Sequence, residues 1–291
     1  MKKIIAVALT ALAVQACADN QSIAGIHAQV GAKNLKSRSD TIDVGEGTTK
    51  QFTRTPDHRQ FQLETGLLKL EPVALVGCGL ARVAGEVLGS ILSGAWAHGA
   101  DEHAPGGILD VSQPDDTYVD LGEVGAAPGT YCGLRIALVP VTAAPGEGEV
   151  DMRGHAVYLT QCDYYDSPAD TAKHYCFTLK LAESAQSVVL DLPEAVTLGP
   201  DRRHLGLAVV VHYDRWMDRG ADDDAFSALD GYAPIINNPP CNTADTATYD
   251  AAACRTARDD FKAGLQDNAE LKARVLDNII ASLSVEIAES D

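Results

Sequence analysis

The chain has 291 residues, with 41 acidic against 23 basic side chains and a formal net charge of −18. So acidic a balance speaks against nucleic acid and anionic lipid as partners of the folded surface, and it suits a solvated exterior or cation binding. A chain of this length can bury one large core, or a core with an appendage.

The first elements are those of an export signal. Lys2 and Lys3 precede an apolar run from Ile4 to Val14, interrupted only by Thr10. That run is too short to remain as a membrane-spanning helix and matches a secretion signal. Val14-Gln15-Ala16-Cys17 follows and resembles the lipobox of bacterial lipoproteins, with Gln15 where a small residue is usual. The resemblance implies cleavage after Ala16, a diacylglycerol on the Cys17 sulfur and an acyl chain such as palmitate on the new amino group. Two or three chains suffice for lasting attachment where one does not. Ala18, in place of Asp, implies sorting to the outer membrane, facing the periplasm or the cell surface. The alternative is a soluble periplasmic protein cut near Ala16 or Ala18. Loss of Lys2 and Lys3 takes the charge to about −20, which leaves the reading of partners unchanged.

The cysteines point to the same compartment. With Cys17 set aside, six remain: Cys78, Cys132, Cys162, Cys176, Cys241 and Cys254. An even set in an exported chain reads as three disulfides, with fifteen pairings formally open. Neighbour spacing suggests Cys162–Cys176 and Cys241–Cys254, which leaves Cys78–Cys132. No C-x-x-C pair occurs, so a thiolate zinc site ranks below disulfides.

Residues 17–58 read as lipidated N-terminus and tether, with a first strand near Ile23 to Val30. Strand patterns begin at Phe61 and Leu63, continue through Leu68, Leu70, Val73 and Leu75, and recur at Ile108–Val111 and Tyr118–Leu121. Pro128-Gly129 predicts a type II turn with positive φ at the glycine. The strand after it carries Cys132, Leu134, Ile136 and Leu138 on its inner face. Further strands are expected at His155–Thr160, His174–Leu181, Ser187–Leu192 and Leu205–Tyr213. The expected fold is therefore mainly β: an antiparallel sandwich over 59–215, stapled by disulfides. Residues 216–291 read as an Asp/Pro-rich loop and a helical segment packing on the sandwich. Phe261, Leu265, Leu271, Val275, Leu276, Ile279 and Ile280 share its apolar stripe, and a last strand closes at Ser284–Ile287.

Chemistry-bearing residues are concentrated at Trp96-Ala97-His98-Gly99-Ala100-Asp101-Glu102-His103. Two imidazoles and two carboxylates within six residues fit a loop around copper or zinc, with His98, His103, Asp101 and Glu102 as candidate ligands. Five residues apart, the histidines would not share a helix face. Of His155, His174, His204 and His212, the last is the preferred third ligand because it ends a strand beside an aromatic segment. A second candidate, for calcium, is Asp214, Asp218, Asp222, Asp223 and Asp224, although the EF-hand pattern is absent. Trp96, Tyr118, Tyr164, Tyr165 and Trp216 form a weaker candidate platform for carbohydrate. No nucleophile elbow, zincin motif, phosphate loop or dinucleotide fingerprint is present, so no enzyme activity is expected.

The stretches Leu67–Leu75, Val119–Gly122 and Pro128-Gly129-Thr130-Tyr131-Cys132 with Leu134–Ile136, ending in the aromatic segment Tyr213–Trp216, run in an order that resembles the methanobactin-associated copper-binding protein family. The likeness covers just over half of the chain beyond the signal. It implies a periplasmic sandwich handling copper or zinc. The disulfides, the Asp-rich region and the helical tail depart from that pattern. Beside the metal-binding reading stand two others: a structural or interaction lipoprotein that binds an envelope partner, and a carbohydrate-binding module.

Overall fold

The computed structural model describes residues 25–37, 50–54, 59–79, 106–146, 148–164, 174–218, 224–231, 235, 238–241 and 247–288. Two sheets enclose one continuous core. The smaller takes strands β1 (His27–Asn34), β5 (Tyr118–Gly125), β10 (His204–Val211) and β11 (Leu283–Ala288), in the order β11-β10-β1-β5. The larger runs β8 (His174–Leu181), β7 (Val157–Tyr164), β3 (Arg59–Gly77), β6 (Gly129–Leu138), β9 (Gln186–Leu198). Two short strands, β2 (Lys50–Arg54) and β4 (Gly107–Asp110), add to β3. The mainly β fold, its disulfides and its helical C-terminal segment are as the sequence predicts.

Alternation of side chains across each strand builds the core. Ala28, Val30 and Ala32 of β1 and Leu205, Leu207, Val209 and Val211 of β10 face inward from one sheet. From the other, Leu134, Ile136 and Leu138 of β6 and Leu179 and Leu181 of β8 oppose them. Strand β3 cannot keep a single parity over its 19 residues. Phe61 and Leu63 are buried, and so are Leu68 and Leu70, although the two pairs differ in parity. A register shift against β7 between Leu63 and Thr65 resolves this, because the extra residue, Glu64, turns outward and exchanges the two faces. Gly66 follows, where a Cβ would stand 2.5 Å from Val111 and 3.2 Å from the Trp216 ring. Glycine is what lets that tryptophan lie on the sheet.

Four local expectations need correction. The first strand expected near Ile23 to Val30 is β1, shifted to His27–Asn34 and central in its sheet, and residues 50–54, in the span read as a tether, form a further strand. The sandwich is antiparallel except at β1, which pairs parallel with β10 because the chain inserts it between strands that come much later. Gly129 does not take positive φ; it already belongs to β6, paired with Leu198. Cys132 falls at a bulge between Tyr131 and Gly133, with no register partner on either neighbour, and is half-buried instead of facing the core.

The three disulfides are Cys78–Cys132, Cys162–Cys176 and Cys241–Cys254. The first ties the end of β3 to the bulge of β6, the second joins register partners on β7 and β8, and the third anchors the start of the helical segment. That segment is two helices, α1 (Ala251–Asp267) and α2 (Ala269–Ala281), where the apolar spacing predicts one. Asn268 divides them. Its backbone N–H closes α1 on the Leu265 carbonyl, and its side chain caps α2 by accepting from the Leu271 N–H. The stripe survives the break: Leu265, Leu271, Val275 and Ile279 are buried, and Phe261 packs edge-on against Tyr175 of β8. No described helix is long and apolar enough to cross a membrane.

Candidate functional site

Cys17, Trp96, His98, Asp101, Glu102, His103 and Tyr165 lie outside the described residues, as do Asp222 and Asp223. The chain leaves for the His-rich segment just beyond Cys78 and returns at Gly106, whose φ of 64° and close approach to the Leu70 carbonyl call for glycine. Both ends of that segment are therefore held by the large sheet.

His212, the preferred third ligand, stands at the exit of β10, half-buried. Its Nε2 is 3.3 Å from the Ser284 hydroxyl of β11, and its Nδ1 is buried with no hydrogen-bond partner among the described residues. Burial, and then the positive Arg215 next to it, hold its pKa below the usual 6.5. A neutral imidazole is the form a metal needs. Among the described residues, however, no three His, Cys, Asp or Glu side chains are grouped so as to hold a metal ion as they stand.

The depressed His212 pKa has a stability consequence with a definite sign. At pH above 6.5 the imidazole is neutral in both folded and unfolded chains. As pH falls below that value the unfolded chain takes up a proton that the folded one resists, so stability declines until the folded pKa is passed. His155 acts in the same direction, chiefly through burial. The Tm should therefore fall between pH 7 and 5, and His212→Gln should flatten part of that slope. A slope unchanged in the variant would show that His212 is not responsible.

The acidic candidates divide. Asp214 is completely buried, and its carboxylate accepts from the Ser37 N–H at 3.0 Å and from the Ser37 hydroxyl at 3.0 and 3.1 Å. Arg215 Nε donates to the same hydroxyl at 2.9 Å. This carboxylate fastens the chain leaving β1 to the end of β10, and it does not face an open loop. Lys50 is similarly engaged nearby, donating to Asp115 at 2.7 Å with its ammonium 4.1 Å above the Tyr213 ring. Of the aromatic candidates, Trp216 is fully buried, whereas Tyr118 is exposed and lies over Gly31.

The outer face of the small sheet carries polar side chains on β1, β5 and β11, with small and apolar residues on β10 between them. Gln29 donates to Asp120, and Lys33 bridges Asp116 on one side and Glu286 on the other. Reaching Glu286 on β11 from β1 takes the Lys33 stem across β10, over Val210, which is buried. Exposed ion pairs of this kind add little stability. At the far end of the same face His27 meets His204, a pairing the sequence does not suggest because 177 residues separate the two. No protein-family model, no curated protein and no solved structure matches this chain.

Proposed function

We propose that this protein is an exported, non-catalytic envelope lipoprotein, held to the outer membrane by a lipid on Cys17, that binds copper or zinc. The observation that carries export is the spending of six of seven cysteines in three disulfides, a pattern of oxidising compartments. The seventh, Cys17, stands where the lipobox-like stretch would have it modified. Growth of a Gram-negative host with radiolabelled palmitate tests the anchor. The wild-type chain is expected to take up label and to fractionate with outer membrane, and Cys17→Ala to do neither. A wild-type chain that matures to a soluble, unlabelled periplasmic form would overturn the lipid and leave export standing.

The metal reading rests on His98, His103, Asp101 and Glu102, with His212 as the preferred third ligand. Its support is the density of imidazole and carboxylate in one segment, and the likeness to methanobactin-associated copper-binding proteins points the same way. Metal content of the purified protein, against a His98→Ala/His103→Ala variant, decides it; equal content would end it. An interaction role for the helical tail has less support, since the apolar stripe of α1 and α2 is already covered by the sandwich. The carbohydrate platform loses Trp216 to the core.

A further inference from the structure

The start of β1 and the start of β10 lie side by side, with His27 and His204 as register partners on the solvent face of the small sheet. The backbone N–H of His27 donates to the Arg203 carbonyl at 2.9 Å, so the pairing is set by the ladder and not by the side chains. His204 Nδ1 and His27 Nε2 are 3.0 Å apart, and the rings meet edge to face with centroids at 4.4 Å. On the other flank of β1, Glu123 of β5 brings a carboxylate oxygen to 3.6 Å from the same His27 Nε2. Three strands thus deliver two imidazoles and a carboxylate to one place.

We propose that His27 and His204, with Glu123 completing the set, form a surface seat for one divalent transition-metal ion, zinc or copper. The spacing carries the argument. Metal–nitrogen bonds of about 2.0–2.1 Å put two nitrogens on one ion about 2.9–3.4 Å apart for bond angles between square and tetrahedral. The observed 3.0 Å falls inside that interval. The same distance serves an imidazole–imidazole hydrogen bond in the metal-free chain, which keeps the rings together; an ion would replace that bond, the shared proton moving to the other nitrogen of its own ring. As they stand the three groups do not enclose a common point. The exposed Glu123 side chain and a small turn of either ring would close them on an ion, and water would fill the remaining positions. Two imidazoles with one carboxylate suit zinc and copper and disfavour calcium and magnesium. The seat is open to solvent and built on rigid strands, which fits an ion that is taken up and passed on and not one locked away.

This seat shares no residue with the His98/His103 segment, so the two stand or fall separately. The test is titration of the full-length, detergent-solubilised protein with zinc chloride against a chromophoric chelator. The wild type is expected to bind one equivalent that His27→Ala and His204→Ala weaken by more than about 10-fold and Glu123→Gln by about 10-fold. The His98→Ala/His103→Ala variant should retain that equivalent. Unaltered binding in His204→Ala, loss only in the His98/His103 variant, or no binding by the wild type would each overturn the seat. A second readout needs no variant: copper(II) added to the wild type should first broaden the ring proton signals of His27 and His204. Broadening that spares both rings would overturn the proposal as well.

Discussion

Replacing Trp216 by alanine is expected to remove about 4 kcal/mol of folding stability and to lower the Tm by roughly 10 °C, the largest effect of any single substitution considered. The ring is wholly buried and sits against Gly66 of β3, at the point where the strand resumes after its bulge. Its Nε1 donates to the Ser282 hydroxyl at 3.2 Å, and its carbonyl accepts from the Asn278 side chain at 3.1 Å. One residue therefore joins the large sheet, the end of α2 and the turn into β11. Truncation leaves a cavity in a region where strand, helix and turn restrain one another, so collapse into the space is limited. Trp216→Phe keeps much of the volume and loses the Ser282 bond, and should cost about 1–2 kcal/mol. Urea unfolding followed by circular dichroism measures both. A cost below about 1 kcal/mol for the alanine variant would mean that the site relaxes and that the ring does not bind these elements together.

The second large effect concerns the disulfides, taken as double serine variants. The Cys78–Cys132 bridge closes a loop of sequence separation 54, against 14 for Cys162–Cys176 and 13 for Cys241–Cys254. In the chain-entropy view its removal costs about 4 kcal/mol and each of the others about 3 kcal/mol. Local structure widens the difference. Cys162 and Cys176 are ladder partners on adjacent strands, already held together by backbone hydrogen bonds. Cys132 lies at a bulge, where the bridge to Cys78 is what ties the unpaired residue to the sheet. The Cys78→Ser/Cys132→Ser variant should therefore show the lowest urea midpoint of the three. Equal midpoints would indicate that residual structure in the unfolded chain, and not loop length, sets the contribution.

Much of this architecture can be read along the chain. The strands from Phe61 to Val211 appear in the order their alternation predicts, and the stripe from Phe261 to Ile280 packs inward as its spacing requires. The cysteine pairs follow from neighbour spacing. Where the reading of a single strand or helix fails, an inserted or capping residue is often responsible. Glu64 exchanges the faces of β3, Cys132 steps out of the ladder of β6, and Asn268 ends one helix and begins the next. Each is a local choice that period counting averages away.

The sequence by itself determined the class of fold, the two short-range cysteine pairs, and which face of most strands turns inward. All of these depend on residues close together in the chain. The tertiary structure alone decided that β1 would lie between β5 and β10, that Ser37 would rest on Asp214, and that His27 would stand beside His204. Strand neighbours are selected by the fit of whole faces and by the closure of long loops, and no periodicity along the chain records that selection. The imidazole pair came into view only once β1 and β10 were set in register.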